Sequence, residues 1–274
     1  MTRDAVEDLE LRLLLEAIYQ RYGYDFREYA RSSIRRRVWR RVAEESLQTI
    51  SGLQERILHD PDCMERLLLD LSVNVTSMFR DPSFFRALRE KVVPVLRTYP
   101  FVRVWNPGCS SGEETTSLAI LLAEEGLGDR VRIYATDIDV EVIERARSGV
   151  FPLERMREYT SNYIAGGGRA AFSDYYTTFG ESAKFAPELT ESIVFAQHNL
   201  VSDSDFNEFH LIVCRNVMIY FDRSLQDKVT GLLLRSLVRF GVLALGQKES
   251  LRFSAHSSEF EELDPQERIY RRVG

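Results

Sequence analysis

Two adjacent glutamates, Glu113 and Glu114, follow a turn of small residues in the stretch NPGCSSGEE. A short apolar segment precedes this turn and a helical pattern follows it, which is the strand–turn–helix corner where α/β proteins bind cofactors. Gly108 and Gly112 let the backbone approach a ligand closely. Phosphate binders use the helix amides of such a corner to hold negative charge, and two carboxylates oppose a phosphate there. The corner therefore suits a ligand that has an amine and no phosphate.

A third acidic residue, Asp137, ends the next predicted strand in YATDID, about one α/β unit later. An acid at this place can accept hydrogen bonds from ribose hydroxyls. Ribose together with an amino group and no phosphate describes S-adenosylmethionine (SAM) better than any dinucleotide. Glycine–serine turns also occur where nothing binds, and acids in a first helical turn can simply compensate the helix dipole. The three acids thus favour a cofactor without naming a substrate.

The elements that must position these acids are strands and helices in alternation. From about residue 100, short apolar runs alternate with helical segments, which predicts a mostly parallel α/β sheet. Residues 1–87 show helical periodicity without a convincing strand. We expect a helical N-terminal domain over 1–87, a linker over 88–99 and the α/β domain over 100–274. Extra chain at about 149–192, with a glycine turn and short strands, predicts a small inserted β-subdomain.

Composition limits the class of protein. The 274 residues suit one large domain or two modest ones, and the net charge of −6 argues against a general nucleic-acid binder. Three widely spaced cysteines indicate neither a disulfide framework nor a zinc site, so no metal is expected. No apolar run reaches the length of a membrane span, and acids interrupt any signal-peptide pattern at the start. We therefore expect a cytoplasmic chain without membrane insertion.

Five segments of the sequence carry a family resemblance. LSVNVTSMFRDPSFF, WNPGCSSGEE, YATDIDVEVIERARSGVF, HNL and CRNVMIYFD occur in the order seen in the CheR family of chemotaxis receptor glutamate methyltransferases. The chain resembles this family over nearly its whole length. The resemblance implies a class I (Rossmann-like) methyltransferase domain with a small inserted β-subdomain, behind an all-α N-terminal domain. The chain differs from the family pattern after Glu114, where the family commonly has Pro-Tyr-Ser and this chain has Thr115, Thr116 and Ser117.

The resemblance also implies SAM as cofactor and S-adenosylhomocysteine (SAH) as product. Glu113 would hold the amino group of the methionine moiety, and Asp137 the ribose hydroxyls. The other implied pocket residues are Asn74, Thr76, Arg80, Asn199, Leu200, Arg215 and Asn216. Arg80 and Tyr220 would lie close to the transferred methyl group, and we assign them as the catalytic residues.

Carboxylate methylation suits this set of residues. A glutamate side chain is already an anion at neutral pH, since its reference pKa is about 4.3, and so no general base is required. The recognised motifs contain no histidine other than His198, which fits such an acceptor. We expect Arg80 to steer the acceptor carboxylate and Tyr220 to fix its second oxygen. Arg80 should act at a glancing angle or through water, because a tight ion pair would stabilise the ground state.

An arginine-rich segment, RSSIRRRVWRRV, predicts a helix capped at Ser32 or Ser33. Its apolar stripe is Ile34, Val38 and Val42. The opposite, solvated face is expected to carry Arg36, Arg37, Arg40 and Arg41. Such a face could bind nucleic-acid phosphates or an acidic protein surface. The resemblance favours the second, because it implies receptors with helical regions rich in glutamate.

We therefore predict a monomeric enzyme that transfers methyl groups from SAM to glutamates in the cytoplasmic helical region of methyl-accepting chemotaxis receptors. Two other functions stay open. One is methylation of RNA or of another protein, which the basic helix suggests. The other is a non-catalytic signalling module that binds SAM or its product as a sensor, against which the intact Arg80, Asn216 and Tyr220 argue.

Overall fold

The structure of the protein, a computed structural model, describes residues 2–72, 76–205 and 207–274. The chain forms two compact units. The helical unit contains residues 1–74 and 220–228, and the sheet unit contains residues 75–219 and 229–274. Among the described residues, no helix combines the length and the apolar character that crossing a membrane requires.

In the described part of the helical unit, four helices contain most of the residues. They are α1 Arg3–Tyr22, α2 Arg31–Glu44, α3 Ile50–His59 and α4 Pro61–Leu71. Local sequence sets their ends. Gly23 stops α1 in the left-handed conformation (φ 79°), and the Thr49 hydroxyl accepts the Gly52 amide at the start of α3, at 3.0 Å. Pro61 opens α4, since proline is well suited to the first position of a helix.

The α2 helix corrects two predictions. Its N-cap is Ala30, whose carbonyl accepts the Ser33 amide at 2.9 Å, so the predicted serine cap is wrong. The predicted solvated face is wrong for Arg37 and Arg41, which are only 7% and 9% exposed. Arg37 donates to the carbonyl of Leu71, and Arg41 forms ion pairs within the same unit. Paired and hydrogen-bonded cations can be buried in this way.

The segment before the first strand differs from the expected linker at 88–99. It is one helical run made of α5 Pro82–Ala87, a π-helical turn Leu88–Val92 and α6 Val93–Leu96. Phe84, Leu88, Val92 and Leu96 are each at most 1% exposed. A side chain buried at every fourth position marks a helix packed against the core of the sheet unit.

Among the residues that the structure describes, ten strands form two sheets in the sheet unit. They are β1 Val102–Pro107, β2 Val131–Asp137, β3 Val150–Pro152, β4 Tyr176–Phe179, β5 Ser182–Phe185, β6 Ile193–Gln197, β7 Phe209–Cys214, β8 Leu237–Leu245, β9 Phe260–Asp264 and β10 Ile269–Arg272. The large sheet has the order β6-β2-β1-β7-β8-β10-β9, and its first five strands are parallel. The predicted mostly parallel sheet is confirmed, whereas β9 was not predicted.

Three longer helices connect the parallel strands: α7 Glu113–Glu124, α8 Val140–Ser148 and α11 Arg223–Arg235. They follow β1, β2 and β7 along the chain, so their N-termini follow strand ends. The carboxyl ends of the parallel strands share one edge of the sheet, where cofactors bind in such folds.

The predicted insertion is present as a small antiparallel sheet of order β3-β5-β4, together with α9 Met156–Ala165 and the short α10 Pro187–Thr190. It packs along α7. Glu124, at the C-terminal end of α7, accepts hydrogen bonds from the Tyr163 hydroxyl, the Tyr175 hydroxyl (2.8 Å) and the Arg169 amide (3.0 Å). Glu124 also pairs with Arg89. This buried network fastens the insertion to one end of α7.

Candidate active site

The turn between β1 and α7 needs glycine at two positions. Gly108 and Gly112 have φ angles of 69° and 93°, in the left-handed region that side chains rarely adopt. A Cβ atom on Gly108 would lie 2.5 Å from Val217, and one on Gly112 would lie 2.8 Å from the Cβ of Ala146. The turn is therefore fixed by conformation and by close packing at the carboxyl edge of the sheet.

Glu113 is a buried carboxylate at the N-terminus of α7, only 6% exposed. Its Oε2 accepts the Ser111 hydroxyl at 2.7 Å, and its Oε1 accepts the Tyr159 hydroxyl at 3.2 Å. The ion pairs found in the described part of the chain include none with Glu113. A buried carboxylate without a counter-charge is unfavourable alone, so this position suits a ligand ammonium group.

Asp137 ends β2 at the same sheet edge and is 7% exposed. Its Oδ2 accepts the Ser110 amide at 2.9 Å and its Oδ1 accepts the Asp139 amide at 3.2 Å. Burial raises the pKa of Asp137. A carboxylate offers about four lone-pair sites, and so Asp137 can still accept a hydrogen bond from a ligand hydroxyl. Both carboxylates thus fit the predicted cofactor, with its ammonium group and its ribose.

Asn199 and Leu200 follow β6. The His198 amide donates to the carbonyl of Asp137 at 3.0 Å, which ties this segment to the end of β2. The Asn199 side-chain oxygen accepts the Val201 amide at 2.9 Å, and Leu200 is 9% exposed. The structure therefore brings these two predicted residues to the same sheet edge as Asp137.

Arg80 is presented by a strained turn. Its neighbours Phe79 and Asp81 both have left-handed backbones, with φ angles of 49° and 57°. The Phe79 amide donates to the Ser117 hydroxyl at 2.9 Å, and that hydroxyl donates to the carbonyl of Glu113 at 2.7 Å. Non-glycine residues hold such angles only where the surroundings enforce them. The turn carrying Arg80 is therefore anchored on the first turns of α7.

Arg215, after β7, braces that turn. Its Nη1 donates to Oε2 of Glu114 at 2.7 Å and to the carbonyl of Arg80 at 3.4 Å, and its Nη2 donates to Asp81 at 2.6 Å. The side chain is 1% exposed, and its guanidinium lies 4.0 Å from the centroid of Phe84. Glu114 therefore braces this turn through Arg215, whereas Glu113 makes no ion pair in the described part of the chain.

Two matches to known protein families identify the family of this chain. Residues 74–269 match the SAM-binding domain of the CheR methyltransferases, and residues 9–72 match the all-alpha domain of the same family. The chain belongs to the CheR methyltransferase family. It is a SAM-dependent methyltransferase with an all-α N-terminal domain.

Three relatives show how far the CheR-family likeness extends. The "Putative methyltransferase Cher3" of Pseudomonas putida is 48% identical over 272 residues, covering 99% of this chain and 100% of that protein. The "Chemotaxis protein methyltransferase" of Escherichia coli is 30% identical, covering 96% and 88%. A protein of the same name from Listeria monocytogenes is 30% identical, covering 84% and 85%.

Three further residues predicted for the CheR-family site, Asn74, Thr76 and Tyr220, are divided between the two units and the part of the chain that is not described. Thr76 belongs to the sheet unit, where its carbonyl accepts Arg155 at 3.4 Å, while Asn74 lies outside the described residues. Tyr220 belongs to the helical unit, where its carbonyl accepts the Ala30 amide at 2.8 Å. The guanidinium of Arg37 lies 4.9 Å from the centroid of the Tyr220 ring. A residue predicted to dock a receptor therefore packs on a predicted catalytic residue.

Sequence reasoning missed two residues that hold the predicted site residues in place. Tyr159 of α9 reaches Glu113 from the insertion, 46 positions away in sequence, and no local pattern signals this contact. Glu249 accepts the backbone amides of residues 216–218. Its one sequence signal is an acid shortly after the last parallel strand, in GQKE.

Proposed function

We propose that this methyltransferase converts glutamate side chains of methyl-accepting chemotaxis receptors into methyl esters, with release of SAH. The observation that carries the proposal is the anchored turn that presents Arg80. Arginine stays protonated in proteins and cannot serve as a general base, so it suits an acceptor that is already an anion. The names of the Escherichia coli and Listeria monocytogenes relatives, both chemotaxis protein methyltransferases, support the same function.

The proposed division of labour joins the family resemblance to the contacts of the described residues. SAM supplies an electrophilic methyl group on a sulfonium centre. Glu113 would hold the ammonium of SAM and Asp137 its ribose, while Asn74, Thr76, Asn199, Leu200, Arg215 and Asn216 would complete the pocket. Arg80 would orient the acceptor carboxylate, and Tyr220 would donate a hydrogen bond to its second oxygen. Orientation of this kind can lower a barrier by about 7–11 kcal/mol.

A methyl-transfer assay tests the function. SAM labelled in its methyl group is incubated with the enzyme and either a receptor cytoplasmic fragment or total RNA. We expect label on the receptor that mild base releases as methanol, because carboxylate methyl esters hydrolyse readily. Base-stable label, or label on RNA, would contradict the proposal and favour the alternative acceptors. SAH binding without any transfer would favour a sensor module.

We further propose that the exposed part of α2 docks the receptor. Arg36 is exposed and has no ion-pair partner among the residues described, whereas Arg40 is exposed but pairs with Asp70 and Glu44. Arg37 and Arg41 are buried and are removed from the predicted docking face. An exposed cation steers an acidic partner and changes mainly the association rate.

Arg36→Glu is therefore expected to raise the KM for the receptor several-fold, and the effect should shrink at high salt. The SAH affinity should stay unchanged. Arg37→Glu makes a useful contrast, because it would place a negative charge in a buried position and unfold the helical unit. Steady-state kinetics and circular dichroism measure both effects. An unchanged receptor KM in Arg36→Glu would remove α2 from the docking surface.

A further inference from the structure

One carboxylate outside the predicted site gathers an unusual set of hydrogen bonds. Glu249 lies shortly after β8 and is 5% exposed. Its Oε1 accepts the amides of Val217 (3.0 Å) and Met218 (2.8 Å). Its Oε2 accepts the amides of Asn216 (2.9 Å) and Gly246 (2.6 Å). A single buried side chain thus satisfies four backbone donors.

Three of these donors are consecutive residues that follow β7. Successive amides that converge on one point form an anion-binding concavity. Asn216 has a left-handed backbone (φ 60°), which a non-glycine residue adopts only when its surroundings enforce it. The Glu249 carboxylate occupies this concavity in place of a bound anion. Its hydrogen bonds therefore hold residues 216–218 in this conformation.

The neighbouring Gly246 makes the arrangement possible. The Glu249 amide donates to the carbonyl of Gly246 at 2.8 Å, which closes a tight turn. A Cβ atom on Gly246 would lie 2.8 Å from Oε2 of Glu249 and 2.9 Å from the amide nitrogen of Asn216. The ends of β7 and β8 can approach this closely only because position 246 lacks a side chain.

We propose that Glu249 is a positioning residue of the methyltransferase site. By fixing residues 216–218, it sets the direction in which the chain leaves β7 and so the placement of Arg215 and Asn216. The placement of Arg215 in turn affects the turn that carries Arg80, since Arg215 donates hydrogen bonds to Asp81 and to the carbonyl of Arg80. The inference rests on the proposed cofactor role of Asn216, and it does not depend on which acceptor is methylated.

Glu249→Gln tests the proposal in the full chain. The substitution keeps the shape of the side chain, but it turns one of the two oxygens into a donor that faces backbone donors. We expect the Kd for SAH to rise at least tenfold by calorimetry, with faster hydrogen exchange at residues 216–218. The expected weakening reflects the loss of a strong hydrogen bond to a charged group.

Asp264→Asn is the matched control. Asp264 is a buried carboxylate of the same unit, 8% exposed, and it accepts the amides of Gln266 (3.0 Å) and Glu267 (3.1 Å) after β9. Its replacement should lower the melting temperature without changing the SAH affinity. Gly246→Ala is a second route to the same disruption, should Glu249→Gln fail to fold, and it should also weaken SAH binding.

Two results would overturn the inference. One is faster exchange at residues 216–218 with an unchanged Kd for SAH, since the anchored segment would then have no bearing on the cofactor. The other is an equal loss of SAH affinity in Asp264→Asn, which would indicate general destabilisation. Failure of the receptor assay leaves both readouts intact, because SAH binding requires no methyl acceptor.

Discussion

Arg80→Ala is expected to lower kcat by about 10²- to 10³-fold at saturating SAM, the range found when a single preorganised charge-stabilising donor is removed. The reason is loss of orientation, because the acceptor carboxylate would no longer be held in line with the methyl group. The turn itself should persist, since Phe79 and the Arg80 carbonyl are held through backbone atoms. Single-turnover transfer to a receptor fragment measures the effect.

Arg80→Lys is the matched variant for this experiment. Lysine keeps the positive charge but lacks the planar fork of the guanidinium, so an intermediate rate is expected. The melting temperatures of Arg80→Ala, Arg80→Lys and the unaltered protein should agree closely if the turn is intact. Full turnover by Arg80→Ala would contradict the assigned role, and we would then regard Arg80 as part of the cofactor pocket alone.

Glu113→Gln is expected to weaken SAM and SAH binding by about 30- to 1,000-fold, equivalent to about 2–4 kcal/mol. The substitution preserves the size of the side chain and removes the one charge that would meet the ligand ammonium. Glu113 has no ion pair in the described chain, so no cation of the protein is left unpaired. Calorimetry with SAH measures the loss directly.

Methylthioadenosine, which lacks the amino-acid part of SAM, provides the ligand control. Its affinity should be nearly the same for Glu113→Gln and for the unaltered protein. Asp264→Asn provides the protein control, because Asp264 is a buried carboxylate outside the predicted site and its loss should appear mainly as reduced thermal stability. Equal weakening of SAH and methylthioadenosine would show that Glu113 shapes the whole corner and does not recognise the amine.

Local patterns predicted the part of the site that local geometry controls. Gly108 and Gly112 mark the turn, and Glu113 and Asp137 occupy the helix start and strand end that the sheet brings to one edge. The alternation of apolar runs likewise predicted the parallel strands. These features depend on residues that are neighbours in the sequence, so periodicity and turn chemistry are sufficient to find them.

Contacts between distant residues could not be predicted in this way. The helical periodicity of α2 separates an apolar stripe from arginines, but burial of Arg41 depends on Asp70, 29 positions later. The same holds for Glu249, whose partners at residues 216–218 belong to another strand end. The segment 88–99, which we expected to be a linker, is largely helical. Its apolar residues pack in the core of the sheet unit, and the sequence of the segment alone does not indicate that contact.

The insertion touches both ends of α7, a helix of 12 residues that is about 18 Å long at 1.5 Å per residue. Tyr159 reaches Glu113 at one end, and Tyr163 and Tyr175 reach Glu124 at the other. The insertion is therefore not an interchangeable module. Chimeras of CheR-family proteins that exchange the whole insertion would replace the Tyr159 contact with Glu113. Exchanges confined to the β4–β5 hairpin around Gly180 should leave that contact intact.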